Sequence, residues 1–359
     1  MITPLFQQHQ ALNAKIVPYA GWDMPGYYTS PVSEALAVRT GCGVFDVSHM
    51  GEFRVTGTGS AAFLQFVATN DISTLKPGAA LYSLLLNERG GVVDDVIVYC
   101  FANDDFLIVV NAGCASKDWQ WLNQMAQDFP SVSIADESNE TALIAVQGRT
   151  AVDSVDALCS QNVCQTPRFC FQSARMTGVE IMLSRTGYTG NDGFEIFCSP
   201  KDSSLIWNTL IDTGATPCGL VSRDILRTEA AYPLYGHELL DDISPKESGT
   251  AWAVKPRAKN FVGRDAFGHV DKHCQKLVGL KVLEKAIPRQ DCDILCNEDI
   301  GDKIGIVTSG TLSPMLNVGI ALARINFEHS VPGTLVNMDI RGRRVPAEVV
   351  SLPFYRNGV

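Results

Sequence analysis

A β-hairpin whose second strand carries two adjacent aspartates is the feature that most constrains this chain. Two runs rich in β-branched and aliphatic residues, 80–86 and 92–101, flank an Asn-Glu-Arg-Gly-Gly turn, which predicts the hairpin. Because side chains alternate along a strand, Asp94 and Asp95 are expected on opposite faces, and one of them shares its face with apolar side chains. These apolar neighbours are Val93, Ile97 and Tyr99. Since an unpaired carboxylate is costly to bury, that aspartate is either a reactive or ligand-binding group, or it lies on an exposed strand face or in a salt bridge at the sheet edge.

The length and composition of the chain bound its class. The 359 residues are enough for two or three packed domains, and the 46% hydrophobic and 19% charged fractions are typical of a folded protein. No run of about 18 apolar residues could span a bilayer, and the first residues lack the basic start of a signal peptide. The net charge of −10 argues against a nucleic-acid partner. We expect a cytoplasmic protein without a membrane partner.

The pattern of predicted elements indicates an α+β fold followed by a smaller β domain. Antiparallel strands alternate with helices through most of the chain, including a helix that Ser33 caps and that runs to about Thr40. From residue 276 onward, short β-rich runs alternate with Gly, Asn and Asp turns, which is typical of a small barrel or sandwich. We therefore divide the chain into a region 1–272 and a C-terminal domain 273–359.

A second informative stretch, 184–197, is rich in glycine and contains one acidic residue in an apolar strand. The glycines allow tight turns and a close approach of the backbone to a ligand. Glu195 lies between two phenylalanines, Phe194 and Phe197, in the alternating strand that ends this stretch. A carboxylate in an apolar wall suits a flat heterocycle with two adjacent N–H donors, because it can accept both side by side. The alternative is a hairpin with an outward-facing glutamate.

A cluster of basic residues follows Trp252. Lys255, Arg257, Lys259 and Arg264 fall within ten residues and have no acid among them, so they form a positive segment in an acidic chain. Docking of an acidic partner and capture of an anionic ligand tail are both compatible with this segment. A solvated turn is the structural alternative.

Sequence motifs for nucleotide phosphates, hydrolase nucleophiles and metals are missing. The chain has no GxxxxGK[ST], GxSxG or GxGxxG. His269 and His273 stand four residues apart, but no glutamate lies between them. We therefore predict no metal site.

Segments spread over nearly the full length carry a resemblance to a known family. They are TPLFQQH, AGWDMP, AVRTGCGVFDVSHMGEF, TND, YSLLLNERGGVVDDVIVY, VVNAG, TALIAVQG, SRTGYTGNDGFEI, RDILRTEA, LYGHE, VTSGTLSP and PFY. In these segments the chain resembles the aminomethyltransferase, or T-protein, family of the glycine cleavage system. The resemblance implies a ring-like, three-domain arrangement of two interwoven folate-binding α+β subdomains, 1–50 with 141–272 and 51–140, and a C-terminal β-barrel.

The resemblance also implies a reaction and its partners. The enzyme moves a one-carbon unit from the aminomethyl-lipoyl arm of a carrier, the H-protein, to tetrahydrofolate. The products are 5,10-methylenetetrahydrofolate and ammonia. The lipoylated carrier and tetrahydrofolate are therefore the expected partner and acceptor. The resemblance also implies the mitochondrial matrix as the location if the source is eukaryotic and the transit peptide is absent.

Functional residues carry over from the family by position. Asp95 matches the essential aspartate, and Glu195 matches the glutamate that binds the pterin. The positions that match other folate contacts are Met50, Tyr82, Tyr99, Val109, Asn111, Tyr188, Arg223, Tyr232 and Trp252. Pairing of Arg223 with Asp95 and pairing with the carboxylates of folate both stay open. The basic residues from Lys255 to Arg264 are the candidate docking surface for the carrier.

Departures from the family pattern and related scaffolds limit what the resemblance implies. The departures are Arg149 for Pro, Val221-Ser222 for Gly-Ala, Thr228 for Leu and Ala286 for Gly. None of them removes a polar group assigned to the chemistry. One alternative is a folate-dependent demethylase, which shares the acid and the pterin pocket. The other is a non-enzymatic folate-binding factor of iron–sulfur assembly, whose hallmark cysteine is missing from 259–265.

Overall fold

Two sheets and a closed barrel organise the structure, a computed structural model that describes residues 1–257, 259–269, 275–297 and 301–356. This architecture confirms the predicted α+β fold with a C-terminal barrel. The position between residues 272 and 273, where we placed the domain boundary, lies outside the described residues. The helices are α1 (Phe6–Ala11), α2 (Pro31–Thr40), α3 (Ser60–Val67), α4 (Ala115–Ala126), α5 (Ala151–Asp156), α6 (Pro200–Asp212), α7 (Leu220–Glu229) and α8 (Arg264–His269). Within the described part of the chain, no helix has both the length and the apolar character needed to cross a membrane.

The first sheet is built around one strand that is buried on both faces. Its strands, in spatial order, are β10 (Phe171–Met176), β11 (Val179–Ser184), β12 (Gly193–Cys198), β9 (Ala142–Gln147), β3 (Gly43–Asp46) and β13 (Thr216–Pro217). All six residues of β9 are buried. Ile144 and Val146 pack in a cluster with α5 and α6, whereas Leu143 and Ala145 pack on the other face. The continuous apolar sequence of β9 follows from this burial on both sides.

The second sheet shares an inner apolar layer with the first. Its strands, in spatial order, are β5 (Ala79–Leu86), β6 (Val92–Ala102), β7 (Asp105–Val110), β4 (Gly51–Thr56) and β8 (Ser133–Asp136). Helices α3 and α4 cover its outer face through Phe63 and Leu122. On the inner face, Tyr99 and Val109 join the cluster that also contains Leu143 of the first sheet. A separate hairpin of β1 (Lys15–Tyr19) and β2 (Trp22–Tyr27) completes this part of the chain.

The predicted hairpin is present, but a β-bulge changes the side-chain pattern next to the aspartates. Leu85 pairs with Asp94 and the next residue, Leu86, pairs with Val92, so Val93 is an extra residue on β6. Val93 packs in the outer cluster beneath the helices, whereas Tyr99 packs in the inner layer. The prediction that Val93 shares a face with Tyr99 was wrong, because the bulge breaks the alternation.

The C-terminal strands close into a six-stranded barrel. Around the barrel they are β14 (Gln275–Val282), β17 (Val318–Asn326), β16 (Lys303–Ser313), β15 (Asp293–Cys296), β18 (Leu335–Ile340) and β19 (Arg343–Val350). In β19, Val345, Ala347 and Val349 are buried and alternate with more exposed residues. This period of two places one side of each strand in the barrel core.

Two buried charged residues of α7, Arg227 and Glu229, form ion pairs within the α+β region and hydrogen bonds to the barrel. Arg227 donates to Glu238 at 2.9 Å and to the hydroxyl of Ser309 in β16 at 2.7 Å. At the end of the same helix, Glu229 accepts two hydrogen bonds from Arg39 of α2, at 3.0 and 2.8 Å. The side chains of Arg39 and Glu229 are completely buried. Charged groups that are buried away from water are stable only when their partners are present. These contacts therefore fix how α2, α7 and the barrel pack together.

The start of α2 differs from the prediction. Ser30, rather than Ser33, is the N-cap, and its hydroxyl accepts a hydrogen bond from the backbone N–H of Ser33 at 3.1 Å. Pro31 occupies the first turn, where its missing N–H has no cost. Both serines fit a capping pattern, and the earlier one is used because Pro31 also fits the helix start.

We expect Arg39→Met to lower the free energy of unfolding by about 3–5 kcal/mol, because it leaves Glu229 buried without a cation. Denaturant titration measures this loss. Arg175→Met is the matched control, since the ion pair of Arg175 with Glu180 is more than half exposed and exposed pairs contribute little. Equal losses in the two variants would contradict a role of the buried pair in holding α2 against α7.

Candidate active site

A cavity of about 570 Å³ lies between the inner faces of the two sheets and α7. Its volume is in the range of small-molecule binding sites. Ile97 and Val109 contribute from the second sheet, Leu143 from the first, and Leu220 from α7. The inner apolar layer therefore opens at this point instead of closing completely.

Asp95 reaches the cavity wall from β6. The hydroxyl of Tyr82 donates to its Oδ2 at 3.1 Å, and Nδ2 of Asn111 donates to its Oδ1 at 2.8 Å. Burial, together with the negative charge of Asp94, raises the pKa of Asp95 to about 7. A carboxyl with this pKa can hold or release a proton near neutral pH.

Asp94 points away from the cavity and is fully buried. Its two oxygens accept from the backbone N–H of Asn111 at 3.0 Å and from Nδ2 of Asn111 at 2.9 Å. The Nδ2 group of Asn111 therefore bridges the two carboxylates. The opposite orientation expected for the pair is present, and Asp95 is the member that faces the cavity.

Glu195 reaches the same cavity from β12 of the opposite sheet. Phe194 packs on the outer face of the first sheet, in the cluster with α5 and α6. Phe197 packs in the inner layer between the two sheets. One Glu195 oxygen, Oε2, accepts a hydrogen bond from the hydroxyl of Thr186. Of the two alternatives left open by the sequence, the structure therefore has the inward-facing glutamate.

The loop before β12 is held in place by Gln147. Its Nε2 donates to the carbonyl of Thr186 at 3.0 Å, and its Oε1 accepts from the hydroxyl of Thr189 at 3.0 Å. A side chain at Gly187 would place its Cβ only 1.9 Å from Oε1 of Gln147. Glycine at this position therefore lets the loop pack against the buried amide and present Tyr188 to the cavity.

Arg223 extends from α7 into the cavity wall. Its guanidinium lies 5.0 Å from the ring centroid of Tyr188. Burial lowers the pKa of Arg223, and the negative charge of Glu195 opposes that shift. The Nη1 group is buried without a hydrogen-bond partner. Among the described residues no ion pair joins Arg223 to Asp95, so that pairing, which the sequence left open, is not formed in this structure.

All remaining residues predicted to contact the ligand also line the cavity. They are Met50, Tyr82, Tyr99, Val109, Asn111, Tyr188, Tyr232 and Trp252. Trp252 is 60% exposed and stacks on Tyr82 with ring centroids 5.1 Å apart. This stacked pair is placed where the cavity meets solvent, whereas Tyr99 is fully buried.

Sequence reasoning did not single out His49 as a site residue. Its ring lines the cavity, lies 5.6 Å from that of Tyr19, and has a buried Nδ1 without a hydrogen-bond partner. Burial lowers the pKa of His49 to about 4, so the imidazole is neutral at physiological pH. The sequence feature that could have identified His49 is its position next to Met50, in a segment that resembles the family.

One of the four predicted docking residues does not belong to a docking surface. Lys259 is largely buried, and its ammonium donates to the carbonyls of Gln65 and Ala68 near the end of α3. Burial lowers the pKa of Lys259 to about 7. The prediction was wrong for this residue, because the helix end supplies unpaired carbonyls that a lysine can cap. The other three, Lys255, Arg257 and Arg264, are exposed.

Two further sequence observations concern α7 and the histidine pair. On α7, Val221 lines the cavity, and the hydroxyl of Ser222 donates to the carbonyl of Gly219 at 2.7 Å. These departures from the family pattern therefore lie beside the site. His273 and the side chain of His269 lie outside the described residues.

The fold and the cavity together have the features of an enzyme. Glu195 and Asp95 face one apolar cavity from opposite sheets, and Asp95 titrates near neutral pH. Such a combination of a concave apolar site with convergent polar groups and a shifted pKa is typical of catalytic centres.

Family models identify the kind of enzyme. The GCVT N-terminal domain model matches residues 5–258, and the glycine cleavage T-protein C-terminal barrel domain model matches residues 275–356. The chain therefore belongs to the glycine cleavage T-protein family.

Individual relatives agree with this assignment. The chain is 41% identical over 363 residues to an aminomethyltransferase of Halalkalibacterium halodurans, which covers 99% of this chain and 98% of that protein. It is 43% identical over 354 residues to an aminomethyltransferase of Deinococcus deserti, at 99% and 96% coverage. The crystal structure of glycine cleavage system aminomethyltransferase T from Bartonella henselae is similar with a TM-score of 0.92 and 31% identity, covering 99% of this chain and 98% of that one.

These matches confirm the activity expected from the resemblance. The chain is an aminomethyltransferase of glycine cleavage. They do not favour the demethylase or the iron–sulfur assembly factor.

Proposed function

We propose that tetrahydrofolate binds in the cavity and accepts the one-carbon unit from the aminomethyl-lipoyl arm of the H-protein. The observation that carries this proposal is that Glu195 and Asp95 face the same apolar cavity from opposite sheets. One carboxylate can then hold one end of an elongated ligand while the other acts on its reacting atoms. The cytoplasmic location expected from the sequence stays a prediction.

Glu195 binds the pterin ring in this proposal. The 2-amino group and N3–H of a pterin are adjacent donors, which one carboxylate can accept side by side. Thr186 already donates to Oε2 of Glu195 and thereby fixes the orientation of the carboxylate. The unpartnered Nη1 of Arg223 supplies a donor for an oxygen of the same ligand.

Aromatic and aliphatic side chains supply the flat walls. Tyr99 and Val109 contribute from the inner layer, and Met50 lies beside them. The stacked rings of Tyr82 and Trp252 lie toward solvent. Apolar faces of this kind match both the pterin and the aminobenzoyl ring of folate.

Asp95 acts on the reacting nitrogens in this proposal. The transferred carbon loses its bonds to the amino nitrogen and to sulfur and gains bonds to N5 and N10. The two protons lost by N5–H and N10–H end on ammonia and on the thiol. Ionised Asp95 stabilises the cationic iminium formed before the ring closes and accepts a proton as N10 attacks. The hydrogen bonds from Tyr82 and Asn111 keep its carboxylate in position.

The exposed basic residues that follow Trp252 in sequence give the carrier a place to dock in this proposal. Carriers of this kind are expected to be acidic, so a long-range repulsion opposes their approach to a chain of net charge −10. Lys255, Arg257 and Arg264 lie on the surface shortly after Trp252. A local positive surface at this place favours productive encounter.

We expect Asp95→Asn to reduce turnover by at least about a hundredfold, because one preorganised charge and proton carrier is lost. Asp94→Asn is the matched control on the same strand and is expected to lose much less, since Asp94 faces away from the cavity. Steady-state kinetics with aminomethyl-loaded carrier and tetrahydrofolate provides the measurement. A larger loss for Asp94→Asn than for Asp95→Asn, at equal stability, would contradict the assignment.

Glu195→Gln is expected to weaken folate binding by roughly 2 kcal/mol, or about thirtyfold, because a donor then faces the donors of the pterin. Affinity for the carrier is expected to stay the same. Isothermal titration calorimetry with tetrahydrofolate tests this expectation. Unaltered folate affinity would remove Glu195 from the binding site.

Reversing both Arg257 and Arg264 to Glu is expected to raise the apparent KM for the carrier, and more strongly at low salt. Affinity for monoglutamyl folate is expected to stay nearly intact. The matched control reverses Lys201 and Lys281, which are exposed elsewhere and change the net charge equally.

Each other outcome of this experiment identifies a different role for the patch. A loss of affinity confined to polyglutamylated folate would assign Arg257 and Arg264 to the ligand tail. An equal rise in KM for the control pair would show a net-charge effect. An unchanged KM would leave the residues as a solvated turn.

A further inference from the structure

A third carboxyl group lies behind the two aspartates of β6. Asp118 belongs to α4, is fully buried, and faces Asp94 on the side away from the cavity. Neither of its oxygens has a hydrogen-bond donor among the described residues. Ligand atoms of Asp94, Asp118 and Cys114 all lie within 4.8 Å of one another.

Two facing carboxylates in a dry interior cannot both be ionised without a cation. Among the described residues no ion pair joins a cation to either carboxyl. The ammonium of Lys117 on α4 donates to the hydroxyl of Tyr235 at 2.5 Å and lies 3.4 Å from Asp241, and its charge opposes the raised pKa of Asp118 without outweighing burial and Asp94. The two carboxyls must therefore share a proton, which supplies the donor that Asp118 otherwise lacks.

The hydrogen bonds around the pair decide which residue holds that proton. Asp94 accepts two N–H groups of Asn111, so its ionised form is stabilised. Asp118 has no such donors, and burial together with the charge of Asp94 raises the pKa of Asp118 far above its ordinary value. The proton therefore resides on Asp118, whose O–H donates to Asp94.

We propose that Asp118 is a positioning residue for Asp95: as a neutral acid it donates to Asp94, which keeps a negative charge and a fixed Asn111 next to Asp95. A continuous chain of hydrogen bonds carries this effect. Asp118 donates to Asp94, Asp94 holds Asn111, and Nδ2 of Asn111 also donates to Asp95 at 2.8 Å. The inference deepens the proposed function, because it rests on the role given there to Asp95.

The ionisable groups around this chain come from several elements. They are Asp94 and Asp95 on β6, Tyr82 on β5, Cys114 before α4, Lys117 on α4 and Tyr188 in the loop before β12. Burial and the charges of Asp94 and Asp118 raise the pKa of Cys114, so its thiol is neutral. The charge nearest to Asp95 that Asp118 controls is therefore that of Asp94.

The proposal predicts opposite behaviour for two substitutions of Asp118. Ionised Asp95 is the active form, so kcat/KM falls as the pH drops through its pKa of about 7. Asp118→Leu removes the donor, so Asp94 takes up the proton itself and its charge is lost. The pKa of Asp95 then falls, and the acid limb of the kcat/KM profile moves to lower pH by about one unit or more. Asp118→Asn keeps a neutral donor, so the acid limb is expected to stay in place.

Glu52 provides a matched control for these variants. It is buried on β4, both of its oxygens lack a hydrogen-bond partner, and burial raises its pKa well above the ordinary value. Glu52→Gln thus removes another neutral buried acid without touching the chain from Asp118 to Asp95. We expect it to leave the acid limb unchanged.

Infrared spectroscopy of the ligand-free protein detects the proton directly. A buried neutral carboxyl has a C=O band that a carboxylate lacks. At a pH above the pKa of Asp95, Asp118→Asn and Glu52→Gln are each expected to remove one such band. Thermal unfolding of all variants checks that they are folded, and the Asn variant keeps the experiment decisive if Asp118→Leu does not fold.

Three results would overturn the proposal. The first is an unchanged band in Asp118→Asn, which would show that Asp118 is ionised. The second is an acid limb that moves equally in Asp118→Asn and Asp118→Leu, or in neither. The third is a stoichiometric metal in the purified protein that Asp118→Asn removes. The infrared result needs no substrate, so it stands even if tetrahydrofolate proves not to be the acceptor.

Discussion

Buried ion pairs on helix α7 are the interactions on which the arrangement of this protein depends. Arg227 binds Glu238 and reaches Ser309 of the barrel, while Glu229 binds Arg39 of α2. Removing one partner would leave a charge without solvent or counter-charge, which is far more costly than losing an exposed pair. The same helix points Arg223 into the cavity. The helix that links the barrel to the α+β sheets therefore also forms one wall of the cavity.

The burial that makes these ion pairs necessary also shifts the pKa values of the groups that line the cavity. Burial raises the pKa of Asp95 to about 7 and lowers that of His49 to about 4, so an acid and a base both move toward their neutral forms. Arg223 stays charged beside Glu195. Ligand-free, the cavity thus contains donors and acceptors that lack full partners, and a ligand with complementary groups would satisfy them.

Local patterns predicted much of the fold, and packing decided the rest. The hairpin and the barrel strands follow from turn residues and alternation, which act over a few positions. Alternation alone left both an inward and an outward Glu195 open, and packing of β12 against the cavity decided between them. The bulge that turns Val93 outward and the burial of Lys259 against α3 depend on contacts between distant segments. The roles of Asp95 and Glu195 came from family resemblance. The contact of Asp118 with Asp94 requires α4 to pack on the second sheet, and no local pattern encodes that.

The adjacency of Asp94 and Asp95 fixes the position of the charge that acts on Asp95. Because they are neighbours on one strand, the backbone fixes their separation, and because strand faces alternate, only Asp95 meets the cavity. A charge inside the cavity would be displaced or neutralised when a ligand binds. Asp94 is buried on the other side and held by Asn111, so the charge that raises the pKa of Asp95 lies where a ligand in the cavity does not contact it. Two adjacent acids would be unfavourable elsewhere in a strand. Here the buried Asp94 helps to keep the pKa of Asp95 at about 7.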